Sequence, residues 1–419
     1  RVESKEQWDC FERGGCAGWF FVRARRPNGT GEAPVPPRLV RGRLDFWERL
    51  GLEWRCSELK RMKILLAVAA VCAGLGVGAA EKNQRMLVFI GTYTGGPSKG
   101  IYAYEFSPAN GSLKELGLAA ETPSPSFLAI HPNKKFLYAV NELDNFGGKK
   151  AGSITAFSID PEKGKLTELN AVSTQGAHPC HVTVEREGNY VLAANYSGGS
   201  VISVEIGKDG KLGKTADFKQ HTGSSVDKSR QEGPHAHSIF MDPNNRYALA
   251  ADLGLDKILV YKLDARNGVL EPNQPAFGAT PAGGGPRHLA FHPDGNSLFA
   301  NNEMKSSVTA YSYSQKEGVL KAGQTISTLP ADWKGNNSTA QILVHPSGKF
   351  VYCSNRGHDS IAVFSLDAQG KLKLVENAST RGKTPRNFNI DPTGKFLIAA
   401  NQESDTLAVF RVNQETGKL

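Results

Sequence analysis

The feature that most constrains this chain is a short phrase that keeps returning. HPNKKFLYAVN (131–141), DPNNRYALAAD (242–252), HPDGNSLFANN (292–302), HPSGKFVYCSN (345–355) and DPTGKFLIAAN (391–401) each set a Pro nine residues before an Asn or Asp. EREGNYVLAAN (185–195) keeps the pattern without the Pro, and MLVFIG (86–91) matches its last half. The anchoring residues Gly91, Asn141, Asn195, Asp252, Asn302, Asn355 and Asn401 lie 46 to 57 residues apart. A second marker, Gly-x-Leu, follows each anchor once, at Gly111, Gly164, Gly210, Gly268, Gly318, Gly370 and Gly417. Each unit reads as four short strands separated by Gly, Pro, Asn and Asp turns, which leave no room for long helices. A period near 50 with four strands per unit predicts an all-β chain folded as a seven-bladed β-propeller of four-stranded blades.

The region ahead of the repeats has a different composition. Four of the five Trp and three of the six Cys lie before residue 62, in an Arg-rich stretch without strand or helix periodicity. Residues 1–61 are therefore expected to be an upstream segment, disordered or not native, outside the fold. MKILLAVAAVCAGLGVGAA (62–80) then combines one cation, an apolar run and small residues at its end, the parts of a secretory signal peptide. That places the mature protein, 81–419, in the periplasm or outside the cell, or in the cytoplasm if the run is no signal. Only Cys180 and Cys353 follow it, too few for a disulfide framework. The strand count is uneven: seven second strands but only six first strands, and the chain stops at the start of the seventh blade's outer strand. Blade 1 is thus expected to lack its inner strand and blade 7 its outer one, with the C-terminus incomplete.

The formal charge of +9 is spread without a Lys/Arg block, so no nucleic-acid partner is expected, nor a membrane once the signal is removed. Oligomeric state is not legible. The repeats supply an internal alignment that separates scaffold from exceptions. The columns before each anchor stay apolar and small, and His131, His292 and His345 belong to the repeated His-Pro turn. Six residues before the Pro column, however, stand Ser126, Cys180, His237, Arg287, Ala340 and Arg386, followed by Phe127, His181, Ser238, His288, Gln341 and Asn387. Five of the ten His cluster at these inner-strand entries, His178 and His235 among them. Every blade makes the same scaffold demands, so a column that varies points to a site. The second strand runs back beside the first, which brings the residues after the anchors, including Glu142, Tyr196, Glu303 and Arg356, to the same mouth of the channel. His235 and His237, two apart, are expected to face it together.

GPHAHSIFMDP, GGGPRHLAFHPDG, ADLGLDKILVYKL and ESDTLAVFRV, in this order, resemble the seven-bladed propeller lactonase family. Its founding activity is the bacterial propeller-type 6-phosphogluconolactonase, and its fungal relatives cyclise carboxymuconate with a proposed site of one His, two Arg and a Glu. The resemblance covers roughly residues 86–419. It implies hydrolysis of a sugar or sugar-phosphate lactone, a small anionic substrate, without metal or cofactor. Carried over, it matches His237 or His235, as general base, with Arg287 and Glu303 as catalytic partners and Arg356 as a substrate-binding residue; the variable column adds His181, His288 and Arg386 as candidates for substrate binding. The chemistry is consistent: His near neutrality accepts a proton, and Arg stabilises a developing oxyanion or grips an anion. A muconate-type cycloisomerase, a non-catalytic binding scaffold and a Ca²⁺-dependent lactonase are the alternatives. No Gly-x-Ser-x-Gly elbow supports a serine esterase.

Overall fold

The computed structural model describes residues 85–419 together with two strands nearer the N-terminus, β1 (Gln7–Asp9) and β2 (Cys16–Arg23). The signal-like run 62–80, and the part of 1–61 outside these two strands, lie outside the described residues. The described residues form seven four-stranded antiparallel sheets and contain no helix; hence none is long and apolar enough to cross a membrane. This is the seven-bladed propeller that the repeat predicts.

The blades stick because their second strands are buried on both sides. In β3 (Met86–Thr92), Met86, Val88 and Ile90 pack toward blade 7 against Phe396 and Ile398, while Leu87 and Phe89 pack toward blade 2 against Leu137 and Ala139. The side-chain period of two thus feeds two inter-blade cores from one strand. Seven such clusters, one at each blade junction, run around the ring, including the junction of blades 7 and 1.

Closure departs from expectation. β2 pairs with β3 and supplies the inner strand of blade 1, and β1 pairs with β28 (Thr406–Arg411) as the outer strand of blade 7. The two blades expected to have three strands therefore have four. Strand edges left bare expose unpaired N–H and C=O groups, and these two segments cover them. Counting repeats could not find them, because neither segment carries the repeat.

One local feature matters for function. Where the inner strands β10 (Pro179–Val184), β14 (Ala236–Met241), β18 (Pro286–Phe291), β22 (Ser338–Val344) and β26 (Pro385–Ile390) enter their blades, the pairing slips register. The slip falls at Cys180, at His237, at Arg287-His288, at Ala340-Gln341 and at Arg386. A bulge re-aims the side chain it carries. The variable column of the sequence is therefore the bulged column of the fold.

Candidate active site at the channel mouth

Glu303 is the hub. It follows β19 (Ser297–Asn302), and its backbone N–H is held by Gly285 O at 2.8 Å. Its carboxylate takes three guanidinium groups. Arg287 Nε donates to Oε2 at 2.8 Å, Arg356 Nη2 lies 3.1 Å from Oε2, and Arg230 Nη2 donates to Oε1 at 2.9 Å. Burial alone would raise the carboxyl's pKa. The charges of Arg356 and Arg287 and the Arg230 hydrogen bond overcome it and hold the group at about 2. Arg287 is almost fully covered, with Nη1 donating to Ala340 O at 2.6 Å and to His288 Nε2 at 3.3 Å. Arg356 also donates to Thr339 O at 2.8 Å, while its buried Nε has no partner among the described residues.

Three buried imidazoles stand beside this cluster. His237 Nε2 is 3.9 Å from Glu303 Oε2, and its Nδ1 is 3.6 Å from Cys180 Sγ. Its ring meets Tyr196 and His288 edge-on, each at 5.4 Å. Burial, then Arg287 and Arg386, push its pKa well below the usual value, so it is a neutral base at pH 7. His288 donates from Nδ1 to Gln341 Oε1 at 2.7 Å, which leaves the Nε2 lone pair to accept from Arg287. That ring is spent on holding Arg287. His181 lies between Phe127 and Phe240, at 4.3 and 4.4 Å, and burial followed by Arg287 lowers it to about 3.

A second cluster faces the first. Arg386 Nη2 donates to Tyr93 Oη at 2.9 Å, and Tyr93 Oη donates to Glu142 Oε2 at 2.9 Å. Together with Ser126, Phe127, Cys180, Arg287 and His288, these three line a narrow cavity of about 10 Å³, room for a single water. Across both clusters four guanidiniums (Arg230, Arg287, Arg356, Arg386) stand against two carboxylates (Glu142, Glu303). With the histidines neutral, this leaves an excess of two positive charges. Among the described residues no three His, Cys, Asp or Glu side chains converge to hold a metal ion.

The structure thus brings His237, Arg287, Glu303, Arg356 and His288 together, with His181 against His288 and Arg386 in the facing cluster. It separates His235. That residue precedes β14, stacks on Tyr196 at 4.7 Å, and uses both ring nitrogens, on Tyr196 O and Glu232 Oε1, each at 3.2 Å. His235 and His237 do not face the same way because the bulge at His237 intervenes. Arg230 and Tyr93 escaped the sequence reading, and Glu142 was noted without a role. Glu142 occupies the same column as Glu303, one past the anchor, and that signal was available. Arg230 sits on the 221–235 connection, which makes the Asn195–Asp252 spacing the widest at 57.

A family model described as "Lactonase, 7-bladed beta-propeller" matches residues 87–419. The chain is 39% identical over 333 residues to a 6-phosphogluconolactonase of Bacillus subtilis (strain 168), covering 79% of this chain and 92% of the relative. It is 35% identical over 340 residues to a 6-phosphogluconolactonase of Formosa agariphila, covering 79% and 94%. Among solved structures, the periplasmic gluconolactonase PpgL of Pseudomonas aeruginosa superimposes with a TM-score of 0.74 at 35% identity, covering 79% of this chain and 93% of that one. The chain belongs to the seven-bladed β-propeller lactonase family.

Proposed function

We propose that this protein hydrolyses the ester bond of an aldonolactone, with His237 as general base. The observation that carries the reading is the neutral His237 imidazole 3.9 Å from a carboxylate that three guanidiniums keep ionised. A water beside Nε2 loses a proton to the imidazole as its oxygen attacks the lactone carbonyl carbon. Glu303 stabilises the imidazolium that forms. Arg287, which lines the cavity, and the unpartnered Nε of Arg356 offer N–H groups to the oxyanion. The tetrahedral intermediate then expels the ring oxygen, which takes the proton back from His237 and leaves a hydroxy acid. The positive excess suits both the oxyanion and the carboxylate product, and Arg230, 43% exposed at the rim, is placed to meet a phosphate on a phosphorylated substrate. The signal-like run 62–80 and the similarity to a periplasmic gluconolactonase support a periplasmic, unphosphorylated substrate.

The test is proton release by the full chain on D-glucono-δ-lactone and on its 6-phosphate, above spontaneous hydrolysis. His237→Ala is expected to lower kcat about a hundredfold or more. Rates equal to the spontaneous ones on both lactones would overturn the reading.

A further inference from the structure

We infer that Asp256 is a positioning residue for the reaction, fixing Glu303 at its carboxylate through the Arg230 loop and at its backbone through Gly285; this rests on the lactonase reading. Asp256 is buried, and its carboxylate accepts four hydrogen bonds from two separate segments. From the 221–235 connection, Ser225 Oγ donates to Oδ2 at 2.6 Å and Gln231 Nε2 to Oδ1 at 2.8 Å. From the turn before β18, Gly283 N donates to Oδ2 at 2.6 Å and Gly285 N to Oδ1 at 2.8 Å. Each segment leads to Glu303. Gln231 is the fully buried neighbour of Arg230, whose guanidinium binds Glu303 Oε1. Gly285 gives its carbonyl to the Glu303 N–H at 2.8 Å. The Arg230 side chain is 43% exposed, so its ion pair holds Glu303 only as firmly as its own backbone is held. Glu303 in turn faces His237 at 3.9 Å, and a misplacement of about 1 Å at a reacting group can cost about a hundredfold in rate. The repeat separates the ordinary part of this role from the particular part. Four residues past their anchors stand Gly199, Asp256, Ser306, Asp359 and Asp405. Asp359 Oδ1 also accepts from the next blade's entry, from Thr384 N at 2.8 Å, so that bond belongs to the ring. Asp256 adds two bonds to the connection ahead of its own blade, and that connection carries Arg230.

The experiment measures kcat and KM on D-glucono-δ-lactone for the full chain, Asp256→Asn, Arg230→Ala and the double variant, at a temperature where circular dichroism shows each of them folded. Asn tolerates the left-handed φ of +53° at this position as Asp does, but it offers one acceptor oxygen where four donors converge. In the wild-type background kcat should fall about tenfold while KM stays within about threefold, because the contact of Glu303 with the imidazolium is made only in the transition state. In the Arg230→Ala background the same substitution should cost about threefold, what remains being the Gly285 arm. Equal losses with and without Arg230, or a lower melting temperature at unchanged kcat, would overturn the role of Asp256 while leaving the lactonase reading intact. Should Asp256→Asn fail to fold, Ser225→Ala decides in its place, since it removes one bond of the loop arm and leaves the buried carboxylate. A loss of kcat in Ser225→Ala that disappears once Arg230 is absent supports the role; no loss, or one that persists without Arg230, overturns it. A wild type inert on this lactone and on its 6-phosphate instead removes the lactonase reading, and the role of Asp256 with it.

Discussion

Two sets of three histidines sit at opposite ends of the inner strands, and they live differently. His131, His292 and His345 each donate from Nε2 to the carbonyl of a turn glycine in the next blade, Gly188, Gly348 and Gly394, at 2.9, 2.9 and 2.8 Å. Each accepts at Nδ1 from the N–H two residues on, at 3.1 Å in all three. One backbone geometry recurs three times, as a joint between blades must. At the other end, His181, His237 and His288 occupy one environment each: two phenylalanines around the first, Cys180 and Glu303 beside the second, Gln341 and Arg287 bonded to the third. Where a ring fold repeats an environment the residue serves the ring. Where it breaks the repeat, the residue is free to serve chemistry.

The largest break in that comparison should come from Glu303→Ala. It leaves Arg230, Arg287 and Arg356 facing one another without their counter-charge. Removing one partner of a buried ion pair costs about 3–5 kcal/mol, and activity should fall more than a hundredfold. His345→Ala at the other end should lower the melting temperature while kcat stays within about twofold. A Glu303→Ala protein with near-normal turnover would remove the hub from the mechanism.

Acid should separate the two ends next. His181, His237 and His288 all have pKa values depressed first by burial and then by neighbouring cations, Arg287 the foremost. The unfolded chain binds protons at these positions below about pH 6.5, and the folded chain does not. Their contribution to stability is therefore complete above pH 6.5 and is lost as pH falls below it, at about 1.4 kcal/mol per pH unit for each group. For His181 the loss continues down to about pH 3. Glu303, held at about 2, acts in a separate window: its contribution is present above about pH 4.3 and fades as pH falls toward 2. Urea midpoints between pH 7.5 and 5 should fall steeply, and His181→Leu should flatten the slope by about a third. An unchanged slope in that variant would show that His181 takes up its proton in the folded state.

The ring was legible because it repeats. Seven anchors and seven Gly-x-Leu markers define the blades, and the unbroken apolar run Met86–Ile90 identifies both faces of β3 as buried. The Glu303 hub was legible for the opposite reason, as departures at His237 and Arg287 in the inner-strand column and at Glu303 and Arg356 just past the anchors. What lacks a repeat counterpart could not be read. Arg230 reaches the site on the 221–235 connection. Asp256 fastens that connection, its Oδ2 accepting from Ser225 Oγ at 2.6 Å and its Oδ1 from Gln231 Nε2 at 2.8 Å. No count of spacings reveals where such a loop folds back. The strands Gln7–Asp9 and Cys16–Arg23 likewise carry no anchor.

A smaller effect probes the joint directly. Gly394 has φ +72°, and a Cβ there would stand 2.6 Å from Nε2 of the buried His345 ring. Gly117, at φ +82°, has nothing within 4 Å of the same added atom. Gly394→Ala therefore carries backbone strain plus a clash and should cost about 2–3 kcal/mol, while Gly117→Ala carries the strain alone, at about 1 kcal/mol. Equal melting-point shifts in the two variants would mean that the histidine ring gives way and that the joint is loose.

The smallest effect should come from His235→Ala, although the sequence pairs that residue with His237. Its ring lies flat on Tyr196, 20° from parallel, and both of its nitrogens are engaged outside the cavity. The bulge at His237 turns the second imidazole toward Glu303 and leaves the first behind the tyrosine. Loss of His235 removes a stacking partner from Tyr196, whose hydroxyl accepts from Arg230 at 3.3 Å, so the consequence should pass through that loop to substrate affinity. KM should rise by about twofold to threefold at nearly constant kcat. A hundredfold fall in kcat for His235→Ala, matching His237→Ala, would mean that the two imidazoles act as a unit and that the bulge does not divide them.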